Sequence, residues 1–187
     1  MKIYVKYFYY AFSVFFVLYL LLPNFSFPKP PNDSIQSNEP ADMEDNLRRA
    51  YFTNLDRNGI IDWYISSFNK KPSNTFKFLT LRFNYPPEES QSIIRDQTRS
   101  TYLEELVHPM RESLYVNGFE PTQEKDAIII ENRDWKQKII IKFVPSNVII
   151  RFSVGILILV IIPIVFVNFM DAINELNKSV KRILFSN

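Results

Sequence analysis

The chain contains no cysteine, one histidine and three glycines among its 187 residues. Without cysteine there is no disulfide, no thiolate metal site, no CxxC redox motif and no thiol nucleophile. A single histidine removes multi-histidine metal sites and leaves His108 as the one imidazole for acid–base chemistry. Three glycines exclude a collagen repeat, a glycine-rich linker and a glycine-cradled phosphate loop. Neither GxGxxG nor GxSxG occurs. An excess of one charge sign is also missing. Twenty-two Lys and Arg against 20 Asp and Glu leave a net charge of +2, so no nucleic-acid partner is expected. Nothing in the composition calls for a cofactor.

What is abundant is apolar and unevenly placed. Hydrophobic residues make up 47% of the chain and aromatics 16%. The mean hydropathy is nevertheless only −0.10, because the apolar residues gather near the two ends.

Tyr7 to Leu22 (YFYYAFSVFFVLYLLL) carries no charge, and with Ile3, Tyr4 and Val5 it reaches membrane-spanning length if Lys6 snorkels to the interface. Tyr4, Tyr7, Tyr9 and Tyr10 cluster at one end, as in an aromatic belt, and Pro23 stops the run. The competing readings are a cleaved secretory signal and a buried soluble helix. The exit, Leu22-Pro23-Asn24-Phe25-Ser26-Phe27-Pro28, lacks the pattern of small residues that cleavage needs, so an uncleaved signal anchor over residues 1–22 is the expectation.

Phe152 to Met170 (FSVGILILVIIPIVFVNFM) is a second uncharged run, flanked by Arg151 and Asp171. As a helix it extends about 28 Å, close to the hydrocarbon thickness. It is placed in a transmembrane segment spanning residues 148–170, with a kink expected at Pro163. Lys2 and Lys6 on one flank and Lys178, Lys181 and Arg182 on the other predict both termini in the cytoplasm of a plasma-membrane protein. The intervening residues 23–147 then lie outside. They hold 16 Lys and Arg against 18 Asp and Glu. Arg151, with Lys136, Lys138 and Lys142 upstream, argues mildly against this orientation.

Residues 23–46 (PNFSFPKPPNDSIQSNEPADMEDN) read as a Pro-rich extended linker reaching at most about 75 Å. An ordered strap over Phe25 to Pro31 is the equal alternative. Within this linker, Asn24-Phe25-Ser26 and Asn32-Asp33-Ser34 match the Asn-x-Ser acceptor pattern, which matters only in a host that glycosylates them. Residues 47–147 form the expected extracytoplasmic α+β domain. Asn54 to Phe68 predicts a helix, with Thr53, Asn54 or Asp56 as its cap and Ile60, Ile61, Tyr64, Ile65 and Phe68 as its buried stripe. Thr75 to Asn84 alternates as a strand. Pro86-Pro87-Glu88-Glu89 predicts the start of a long helix running to about Val107, with a polar centre at Arg95 to Thr101. Glu112 to Phe119 fits a strand bulged at Gly118, or a helix capped by Asn117-Gly118; the strand is preferred. Asp126 to Glu131 and Lys138 to Val144 predict two strands of an antiparallel hairpin turned at Asn132-Arg133-Asp134. The fold class is therefore α+β, a small, mainly antiparallel sheet with two helices, flanked by two transmembrane helices.

Chemical signals are few. If Glu104, Glu105 and His108 share a helix, both carboxylates reach the imidazole, as an acid–base pair or a metal site would require. The plainer reading is a histidine at a helix C-terminus. Arg95, Asp96 and Arg99 form the polar helix centre; together with Glu104 and His108 they are the candidate interaction surface. No residue is assigned as catalytic, cofactor-binding or metal-ligating. Arg48-Arg49 reads as local charge balance against Asp42, Glu44 and Asp45.

Running out of the second apolar run, Phe166, Phe169, Ile173, Leu176, Val180 and Ile183 step by three and four residues, a seam for pairing. The tail, residues 171–187, either continues as a straight helix that pairs, lies on the membrane surface, or frays. The expected role is non-enzymatic: an envelope or complex-accessory protein whose partners are the lipid bilayer and a membrane protein or a second copy. A partner-dependent sensor signalling through the second helix and the tail is the alternative. An envelope hydrolase built on Glu104, Glu105 and His108 is the third.

Overall fold

The computed structural model describes residues 3–43, 45–69, 79–95 and 99–184, in two units. One unit is Asn24–Ser146; the other joins Met1–Pro23 to Asn147–Asn187.

In the first unit, β1 (Ile35–Gln36), β2 (Arg48–Thr53), β3 (Leu81–Tyr85), β4 (Tyr102–Val107), β5 (Ser113–Phe119) and β8 (Gln137–Val144) form one sheet. Their order is β1-β2-β8-β5-β4-β3, antiparallel at every step. The expected α+β class with a mainly antiparallel sheet is what the structure shows. The continuous apolar run of β8 suits its central place, since both of its faces are covered. Ile139, Ile141 and Phe143 join one core cluster and Ile140 the other.

Helix α2 (Arg57–Asn69) packs on the first face. Asp56 Oδ1 accepts from the Gly59 N–H at 2.8 Å, which satisfies one donor of its first turn. Ile60, Ile61, Tyr64 and Phe68 are buried against Tyr51, Leu106, Leu114, Val116, Ile139, Ile141 and Phe143. The predicted stripe is therefore the packing face; Ile65 sits at its margin.

The long helix expected from Pro86 to Val107 does not form. A 3-10 turn and the single-turn α3 (Ser90–Ile93) end where the Ile94 and Arg95 N–H groups both donate to Ser90 O, with Arg95 at φ 72°. The polar stretch 95–101 has no apolar side chain to bury, so nothing stabilises further turns. Tyr102 to Val107 instead becomes β4, between β3 and β5. The connection from β3 to β4 crosses the second face of the sheet. There Arg48 donates to Ile94 O at 2.9 Å, Lys142 to Ile93 O at 2.6 Å and Asn117 to Ser90 Oγ at 2.7 Å. Arg48 is thus a buried tie rather than local charge balance.

The hairpin expected between 126–131 and 138–144 does not form either. Instead β6 (Ile128–Ile130) pairs with β7 (Arg133–Trp135), through Glu131 and Asn132 at φ 54° and 58°. Two successive positive φ values are those of a type I′ turn, which closes a hairpin in two residues and leaves β8 free to enter the large sheet. β5 has no bulge: its register with β4 and β8 runs unbroken through Gly118. That glycine is needed for space, since a Cβ there would overlap the Tyr102 ring.

Residues 24–43 are part of this unit, not a free spacer. Phe25 and Phe27 pack on the core, Ile35–Gln36 pairs with β2, and Lys138 Nζ bonds Glu39 and Asp42 at 2.8 Å each. The strap reading is the one the structure supports. Of the predicted strand 75–84, residues 75–78 lie outside the described residues, and 81–85 are β3.

In the second unit, α1 (Ile3–Leu21) and α4 (Val148–Leu184) are both long and apolar enough to cross a membrane. They run antiparallel. Arg151 Nε donates to Leu20 O at 2.6 Å and its Nη2 donates to Leu22 O, while Tyr9 OH donates to Leu159 O. At Gly155 a Cβ would overlap Leu20 Cδ1, so glycine permits the close approach. α4 continues through Pro163 and onward to Leu184 without interruption.

Candidate functional site

Among the described residues, the polar side chains singled out in the sequence are not gathered on one surface. β4 points Glu104 and Glu105 to opposite faces of the sheet, as strand geometry requires. Glu104 is fully buried beside α2, held by Arg57 Nε at 2.6 Å, Arg82 Nη2 at 2.7 Å and Arg82 Nε. The hydrogen bond to Glu104 is the main reason that Arg82 has its pKa raised. Glu105 accepts from Tyr85 OH at 2.6 Å, which pushes the Tyr85 phenol up to about 12. Arg99 pairs with Asp126 at 3.1 Å. Asp96 lies outside the described residues, and Arg95 sits in the turn after α3. The helix in which Glu104, Glu105 and His108 would meet is absent, so the hydrolase reading loses its geometry.

His108 has a different partner set. It begins the β4–β5 turn, closed by His108 N–H to Glu112 O at 3.0 Å and Arg111 N–H to His108 O at 2.9 Å, with Met110 at φ 59°. The turn brings Glu112 back to the imidazole: Nδ1 meets Glu112 Oε1 at 2.9 Å. Nε2 meets Thr80 Oγ1 at 3.1 Å, and the Thr80 hydroxyl donates to Asn69 Oδ1 at the end of α2. The ring stacks on Phe68, centroids 4.0 Å apart and planes 4° apart, with Phe25 5.0 Å away. Arg111 Nη2 donates to both Glu112 oxygens, at 3.1 Å to Oε1 and 3.3 Å to Oε2. Both His108 and Glu112 are fully buried.

Burial alone would raise the Glu112 pKa. The His108 hydrogen bond and the charge of Arg111 outweigh it and hold the carboxyl below the ordinary range. Hydroxyl, imidazole and carboxylate follow the order of a hydrolytic triad. Here, however, the hydroxyl is engaged by Asn69 and the imidazole lies flat on Phe68 with no exposure. The arrangement joins α2, the residue before β3, the β4–β5 turn and the strap into one packed unit.

Sequence reasoning missed Thr80, Arg111, Glu112, Arg57 and Arg82 as members of these networks. A signal existed in His108-Pro109-Met110-Arg111-Glu112. A proline directly after the histidine favours a turn, and a turn returns residue 112 to residue 108. Also unforeseen is a cavity of about 360 Å³ between the strap and α2, lined by Phe25, Phe27, Pro28, Lys29, Trp63 and Phe68.

Among the seam residues, Phe166, Phe169, Leu176 and Val180 are exposed on α4 and Ile173 is half-buried; the Ile183 side chain lies outside the described residues. Fold and site define an α+β protein with two helices long and apolar enough to cross a membrane. Set against known families, curated proteins and solved structures, the chain matches none.

Proposed function

We propose that this is a two-pass membrane protein that displays its α+β unit outside the cytoplasm as a binding module, with both termini inside. One observation carries the reading. The two ends of the α+β unit are tied together, Asn24 Nδ2 donating to Ser146 O at 2.7 Å. Just beyond each end the chain enters a helix long and apolar enough to cross a membrane. The unit is therefore an insertion between two antiparallel helices, which suits display on one side of a bilayer. Lys2 and Lys6 on one flank and Lys178, Lys181 and Arg182 on the other support an inside location for both.

Binding is favoured by the outer strand β3, which pairs only with β4 among the described residues. It exposes Leu81 and Phe83, with Leu79 just before them, at two-residue spacing on one side. An edge strand with exposed apolar side chains is a template for another protein. A membrane or envelope protein is the class of partner this reading implies. The sensor alternative is favoured by one feature, the unbroken α4 that connects residues next to β8 with the charged tail.

The natural absence of cysteine makes a direct topology test available. Ile129→Cys should react with a membrane-impermeant maleimide on intact cells, and Lys178→Cys only after permeabilisation. The reverse pattern, or release of the chain by alkaline carbonate, overturns the proposal.

A further inference from the structure

An apolar stripe runs out of the membrane-spanning part of α4 into its tail. Phe166, Phe169, Leu176 and Val180 are 48%, 61%, 65% and 49% exposed, and Ile173 lies between them on the same side. The stripe continues the side of α4 on which α1 packs, through Arg151, Gly155 and Leu159. We propose that beyond α1 this side pairs with the same side of a second copy, as a parallel two-stranded coiled coil. The proposal rests on the membrane reading and adds an oligomeric partner to it.

Three observations choose this occupant. First, α4 is one unbroken helix to Leu184, with neither Gly nor Pro after Pro163. Its 37 residues extend about 55 Å, against about 30 Å of hydrocarbon. The tail therefore projects along the helix axis; lying on the lipid surface would need a bend at the membrane exit, where neither Gly nor Pro stands. Second, Asp171, Glu175, Lys178, Lys181 and Arg182 all fall off the stripe. The positions that flank it, Ala172, Asn177 and Ser179, are uncharged. Two identical tails thus meet without like charges facing each other across the seam. Third, membrane insertion gives every copy the same direction and depth, so parallel in-register pairing is aligned in advance. That alignment offsets the shortness of a seam of about two heptads.

Because the chain has no cysteine, single cysteines report the seam without background. Ile173→Cys, Leu176→Cys and Val180→Cys are compared with Asn174→Cys and Lys178→Cys in carbonate-washed membranes, under mild oxidation. The expected result is a dimer-sized disulfide product several-fold stronger at the three seam positions than at the two others. Adding Val180→Asp should abolish the Leu176→Cys product. Equal products at all positions, no product from variants retained in the washed membranes, or a product with a different protein each overturn the proposal. Loss of all variants from the membrane in carbonate would instead overturn the membrane reading.

Discussion

Glu112 shows how one side chain couples four pieces of chain. It is buried between His108 and Arg111, and its charged form is the one both neighbours favour. Its pKa in the folded protein lies below the ordinary carboxylate value, which is about 4.3 unfolded. The folded state therefore binds a proton at Glu112 less readily than the unfolded state. This contribution is present above the unfolded value and fades as pH falls through the folded one. Glu112→Gln should lower stability by about 3–5 kcal/mol at neutral pH, because it removes the carboxylate charge beside a buried guanidinium. The loss should shrink in urea melts repeated at pH values below the unfolded carboxylate value, because there the unfolded chain takes up a proton that folded Glu112 resists. An equal loss at every pH would refute the ionic account.

At the scale of elements, the contact between α1 and α4 depends on a few groups. The last carbonyls of a helix lack partners within it and carry partial negative charge. Arg151 meets both needs by donating to Leu20 O and Leu22 O at the end of α1. Arg151→Leu should weaken the pairing by about 1.5–3 kcal/mol, the range for a charge-assisted bond, as an earlier midpoint in detergent-titrated unfolding followed by circular dichroism. Arg151→Lys should retain part of the effect, because an ammonium keeps the charge without the fork. The strands follow a different logic. β4 alternates as it should, but each of its faces carries a glutamate, and the pairing of Glu104 with Arg57 and Arg82 is what makes that tolerable.

At the scale of the whole molecule, the α+β unit contains its own core on both faces of the sheet and has its two ends bonded together. Residues 24–146 expressed alone should therefore fold and unfold in one cooperative transition, with coincident denaturation curves from Trp63 and Trp135 fluorescence and from circular dichroism. Non-coincident curves, or a chain without near-ultraviolet dichroism, would show that the unit depends on the rest of the protein. A fold whose sheet order is β1-β2-β8-β5-β4-β3 closes mainly through distant pairings. Slow folding relative to a helical protein of the same length is the corresponding expectation.

Much of this molecule was legible without coordinates. Two uninterrupted apolar runs, the stripe of α2 and the β-branched run of β8 are local patterns, and burial of apolar surface acts on them wherever they are placed. Tertiary structure alone decided the rest, because the deciding interactions join residues far apart in sequence. β4 looks helical until Arg57 and Arg82 arrive to neutralise Glu104, β6 takes β7 rather than β8 as its neighbour, and His108 finds Glu112 through a turn while Thr80 and Phe68 close around it. Hydrophobicity is additive along a chain and can be read one residue at a time. The cost of a buried charge depends on which counter-charge the fold brings to it.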